Sequence, residues 1–184
     1  MDLAIAITAL QNGKTILYPT DTIWGIGCDA TNEEACQKIM QLKNRPADKS
    51  FVLLADGFQM IEKYIPEFAD VCYELADIAD KPLTIIYPNA RGLAPSVLAA
   101  DGSVGIRITK DPVCLQLIRS IRKPIVATSA NLSGEPSPTV FDDISPEVKN
   151  NVDAIVMERL FEKCDTPSQI IRIGLDSSIQ IIRK

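Results

Sequence analysis

"SVGIRITKDPVCLQLIRSIRKPIVATSA", Ser103 to Ala130, decides the fold class. Its first segment, "SVGIRIT", reads as a strand. Asp111 then stands as a helix N-cap with Pro112 at the first helical position, where the missing N–H of proline costs nothing. Val113, Cys114, Leu117, Ile118 and Ile121 recur along one helical face. A second apolar run, "KPIVATSA", reads as a buried strand that runs into a turn. Strand, helix, strand is the pattern of an α/β sheet.

The flanking sequence extends the pattern. Leu3 to Leu10 reads as a helix stopped by Gly13, and "KTILYPT" as a buried strand ending at Pro19. Thr31 and Glu34 form a capping box for a helix with Ala35, Cys36, Ile39, Met40 and Leu42 on its apolar face. That helix should end near Lys43, because Pro46 disfavours helical geometry at Arg45. "SFVLLA" is the next strand, followed by helical segments at Phe58–Tyr64 and Glu67–Ile78, and then the strand "PLTIIYP". A helix near Phe141–Asn150 precedes three closing strands, "DAIVM", "SQIIRI" and "IQIIRK". Consecutive strands at the end make the expected sheet mixed. With no internal repeat and no linker-like stretch, residues 1–184 read as one domain.

Composition narrows the chemistry. The chain has no histidine, which removes Ser-His-Asp triads and imidazole acid–base catalysis. Its five cysteines are scattered, with no C-x-x-C pair, so no zinc site is expected. A net charge of −5 argues against a broad nucleic-acid footprint. The start carries an acidic residue where an export leader needs basic ones, and no uncharged apolar run approaches ~18 residues. The expectation is a cytoplasmic protein without a membrane span.

Four stretches could carry function. "GIGCDA" (Gly25 to Ala30) matches G-x-G-x-x-A, but the helix starts only after Ala30, too late for a dinucleotide at a strand-to-helix turn. Close backbone packing explains those glycines better. "YPTDT" puts Thr20, Asp21 and Thr22 at a strand end, where hydroxyls can meet a polar ligand or merely close a turn. "KNRPADKS" sets Lys43, Arg45 and Lys49 around Pro46; this is either a solvated turn or an anion site. "ATSANLSGEPSPT" delivers Ser129, Asn131, Ser133 and Gly134 to the end of a strand. Ser129 has no histidine to activate it as a nucleophile.

With "YPTDTIWGIGCDA", "KNRPADK", "SVGIRIT" and "TSANLSGEPSPT" in this order and spacing, the chain resembles the YrdC-like family, threonylcarbamoyl-AMP synthases. The K-x-R and S-x-N signatures of the family stand here as Lys43-Asn44-Arg45 and Ser129-Ala130-Asn131. The resemblance implies an open, twisted, mixed sheet flanked by helices, with a concave, positively lined cavity. It implies that L-threonine, bicarbonate and ATP give threonylcarbamoyl-adenylate and pyrophosphate. Partner threonylcarbamoyl-transferase proteins then modify adenosine 37 of tRNA, with tRNA itself a weak partner. By the same resemblance Lys43 and Arg45 are catalytic, and Thr22, Arg107, Ser129 and Ser168 hold L-threonine. Arg45, Lys49, Ser103, Asn131, Thr139 and Arg183 hold ATP. Magnesium comes with ATP, and no resident metal or tightly bound cofactor is implied. The alternatives are a paralogue acting on another carbamoyl compound and an RNA-binding module. Three departures from the family pattern stand at Asp80-Lys81-Pro82-Leu83, at Leu54 (a histidine in longer members) and at Ile171-Arg172.

Overall fold

The computed structural model describes residues 2–46 and 49–184. The strands are β1 (Ile16–Tyr18), β2 (Gly25–Gly27), β3 (Val52–Ala55), β4 (Leu83–Tyr87), β5 (Val104–Ile108), β6 (Ile125–Ser129), β7 (Ala154–Ile155), β8 (Gln169–Ile173) and β9 (Ile179–Arg183). The helices are α1 (Asp2–Gln11), α2 (Glu33–Leu42), α3 (Phe58–Tyr64), α4 (Val71–Ile78), α5 (Pro112–Ile121) and α6 (Pro146–Asn151), with 3-10 turns at Pro95–Val97 and Phe141–Asp143. The strands join in one sheet in the order β7-β1-β2-β6-β3-β5-β4-β8-β9. Among the described residues no helix is long and apolar enough to cross a membrane.

Local chemistry accounts for most boundaries. Gly13 has φ +67°. The amides of Gly13 and Lys14 return to the carbonyls of Leu10 and Ala9, which closes α1 in a Schellman motif. The Asp111 side chain accepts from the amide of Cys114 at 3.0 Å, as an N-cap should. Several boundaries move from their expected places: the helix expected near Phe141–Asn150 is a 3-10 turn at Phe141–Asp143 followed by α6 from Pro146. Asn32 caps α2 in place of Thr31, its Oδ1 accepting from Ala35 N, while Thr31 is bonded to Asp29. α4 starts at Val71, four residues later than expected.

"GIG" is a strand, which the glycine pattern concealed. A β-carbon on Gly27 would collide with the Val126 carbonyl and lie 2.7 Å from the Tyr18 ring. The bare backbone lets the Tyr18 ring cross β2, so that its hydroxyl donates to Val126 O at 2.8 Å.

The sheet is mixed, as expected. β5 pairs parallel with β3, and β6 pairs antiparallel with β3, so α5 connects two strands that flank a third. Register fixes the two faces, because direct cross-strand partners project to the same side. Gly25 faces Ser129, Val52 faces Ala127 and Gly105, and Arg107 faces both Leu54 and Thr84. The alternate positions, Leu53, Val126, Ile106 and Ile85, are buried on the opposite side. There α5 packs on β3, and α1 packs on α5.

Candidate active site

On the Arg107 side the sheet holds a cavity of about 310 Å³. Arg45, Arg107 and Arg183 line it with Thr22, Ser129 and Ser168, over a floor that includes Gly25, Val52 and Ala127. Among the described residues no acidic side chain lines it. A charge-unbalanced hollow of this kind is built for an anion.

The end of α2 shows how K-x-R is delivered. Asn44 takes the left-handed conformation, φ 48°. The amides of Asn44 and Arg45 bond back to the carbonyls of Gln41 and Met40, a second Schellman closure. Asparagine tolerates that conformation better than most residues. The reversal separates the two cations. Lys43 turns inward and is 1% exposed, while Arg45 leaves toward the cavity.

The Lys43 ammonium donates to the carbonyls of Ser129 and Asn131, and the Lys43 carbonyl accepts from Ser133 N at 2.9 Å. One residue of the K-x-R signature thereby pins the S-x-N turn. Burial, with the nearby Arg45 charge adding to it, pushes the Lys43 pKa down to about 7. Arg45 is braced by its own connector. Its Nε donates to Lys49 O and its Nη2 to Ser50 O, and the guanidinium lies 4.8 Å from the Phe51 ring centroid.

Arg107 is 3% exposed and meets one carboxylate, Asp21, at 3.1 Å. Its Nε and Nη1 are buried and have no partner among the described residues. Donors left bare in this way are costly, so they mark where a ligand acceptor belongs. Across from Arg107, Thr84 Oγ1 lies 2.8 Å from Ser168 Oγ, and Arg183 donates through Nε to Ser168 O at 2.9 Å.

A β-bulge aims Arg183. β9 pairs with β8 in one register from Ile179 to Ile181 and shifts by one residue before Arg183, which faces Ile170. Without the extra residue, strict alternation would place Arg183 on the same face as Ile179 and Ile181, away from the cavity. Burial lowers the pKa of Arg45 and of Arg183, and for Arg183 the Arg107 charge adds to it.

Six of the expected residues therefore meet, Thr22, Arg45, Arg107, Ser129, Ser168 and Arg183. The others lie off the lining. Lys43 is beneath it, and Lys49 is exposed and offers its carbonyl to Arg45. Asn131 donates its amide to Leu132 O and Glu135 O, leaving a buried, unpaired Oδ1. Thr139 donates to Asp143. Ser103 sits at the far end of β5, four residues or roughly 13 Å from Arg107. There it is held by Asp101, which also pairs with Arg172 at 2.8 Å. That cluster accounts for the Arg172 departure. Leu54, at the histidine position, is fully buried beside Arg107. Among the described residues no group of three or more potential metal ligands converges.

Comparison with known proteins shows the family and the fold. A threonylcarbamoyl-AMP synthase of Vibrio cholerae is 31% identical over 187 residues, covering 100% of this chain and 97% of that protein. One from Vibrio parahaemolyticus is 32% identical over 167 residues, covering 89% and 90%. The solved structure of P. abyssi Sua5 complexed with L-threonine superposes with a TM-score of 0.83 at 27% identity, covering 93% of this chain and 50% of that one. The chain thus spans about half the length of that structural relative. E. coli YciO, at 20% identity and a TM-score of 0.82, covers 99% of this chain and 88% of that one and shares the fold. The family model Sua5/YciO/YrdC, described as "Telomere recombination", matches residues 8–184, and the chain belongs to that family.

Proposed function

We propose that this chain is a threonylcarbamoyl-AMP synthase, joining L-threonine, bicarbonate and ATP into threonylcarbamoyl-adenylate with release of pyrophosphate. The observation that carries this is the cavity lined, among the described residues, by three arginines and no carboxylate, with two Arg107 donors unpaired. All three substrates are anionic or carry a carboxylate, and they repel one another. A fixed cationic wall offsets that repulsion and stabilises charge developing at the α-phosphate.

In this account Arg107 takes the threonine carboxylate, and Ser168, Ser129 and Thr22 complete the lining around the amino acid. The threonine nitrogen bonds to the bicarbonate carbon with loss of water. A carbamate oxygen then attacks the α-phosphorus, and the bond to pyrophosphate breaks. Arg45 and Arg183 hold the phosphates, and Lys43 keeps the Ser129–Asn131 turn in place. No covalent enzyme intermediate is needed, since positioning and electrostatics suffice. Magnesium arrives on the nucleotide; among the described residues the lining offers no carboxylate for a resident ion. The product would pass to threonylcarbamoyl-transferase partners acting on tRNA in the cytoplasm. Purified chain given ATP, L-threonine and labelled bicarbonate should put label into an adenylate and release equimolar pyrophosphate. Absence of both would overturn the assignment.

A further inference from the structure

Thr20 lies two residues before Thr22 and is 2% exposed. Its Oγ1 stands 2.8 Å from Ile23 O and 2.9 Å from Thr22 Oγ1, and it accepts from Thr22 N at 3.0 Å and, more weakly, from Ile23 N at 3.2 Å. A carbonyl brings no proton, so the single hydroxyl proton of Thr20 must lie on the Ile23 contact. The contact with Thr22 then needs the proton of Thr22. Any other arrangement leaves two bare oxygens facing each other at hydrogen-bond distance.

We infer that Thr20 is a positioning residue that commits the Thr22 proton inward and so makes Thr22 Oγ1 a pure acceptor toward the ligand. The inference rests on the proposed synthase activity and deepens it. Arg107 and Thr22 then present opposite polarity to the cavity. Arg107 presents two unpaired donors, suited to a carboxylate. Thr22, also lining the cavity, presents only lone pairs, suited to an N–H or O–H of the same substrate. A hydroxyl free to rotate would serve either partner and choose between none. A committed one orients an amino acid in a single sense and rejects a group that brings no donor.

Calorimetric titration of the full chain with L-threonine tests this. Thr20→Val should weaken binding about tenfold, and Thr20→Ser should restore most of that loss. Thr22→Val should weaken binding by a similar factor, and adding Thr20→Val to it should cost little more, because both act through one hydroxyl. L-2-aminobutyrate, which lacks only the side-chain hydroxyl, assigns the donor. Loss confined to L-threonine in Thr20→Val identifies the hydroxyl, and equal loss for both ligands identifies the amine. Either result supports the role of Thr20. Unchanged affinity in a folded Thr20→Val, or additive losses in the double variant, would overturn it while leaving the synthase assignment intact. Unchanged affinity in Thr22→Val overturns it even if Thr20→Val fails to fold. Wild-type chain that binds no L-threonine overturns both.

Discussion

The sheet carries a hollow on each face near the ends of β4 and β5, and the two differ in charge. Among the described residues the cavity has three arginines and no acid on its lining. The other hollow, of about 180 Å³, sets Asp21 and Asp80 against Lys81 and Lys110 around an apolar floor that includes Ile106 and Ile108. Strand alternation feeds both from β5, with Ile106 and Ile108 to one side and Arg107 to the other. The second hollow is lined by two acids and two lysines, so its formal charges balance. The unbalanced one leaves guanidinium donors bare, and that difference, more than size or depth, marks the site.

The contrast can be tested by removing charge from each side. Arg107→Gln should weaken L-threonine binding about a hundredfold, measured by calorimetry; an effect below threefold would mean that its bare donors face nothing. Lys43 should show itself through pH. Its folded pKa, about 7, lies below the ordinary lysine value, so the folded state binds fewer protons than the unfolded state above pH 7. Stability therefore rises with pH from about 7 toward the unfolded value and levels off above it. Denaturant melts of wild type should gain of order 1–2 kcal/mol between pH 7 and pH 9 relative to Lys43→Met. Parallel curves would show that burial does not depress the Lys43 pKa. The smallest effect belongs to the balanced hollow, where Lys81→Ala should leave turnover within about twofold, as surface substitutions usually do.

Much of the fold was legible because its signals are local. Asp111 with Pro112 predicted the start of α5, and Gly13 the end of α1. β2 was missed because its glycines answer to a distant group, the Tyr18 ring, and not to their own neighbours. The cap of α2 moved from Thr31 to Asn32 because Asp29 already holds Thr31. The site was legible in a different way. Thr22, Arg45, Arg107, Ser129, Ser168 and Arg183 are spread over most of the chain, and no spacing rule brings them together. Four stretches taken jointly, through the family resemblance, did so. Arg183 escapes any alternation argument, since only the bulge turns it inward. Thr20 was visible within "YPTDT", but its part depends on which oxygen holds a proton, and that needs distances.

"KNRPADKS" joins these levels, because one left-handed Asn44 sends Lys43 under the S-x-N turn and Arg45 into the cavity. The most direct test of the cationic cavity is the rate of L-threonine-dependent pyrophosphate release by Arg45→Ala, with its melting curve recorded alongside. The account predicts a loss of about a hundredfold or more with the unfolding transition retained. A folded Arg45→Ala that turns over at close to the wild-type rate would contradict it.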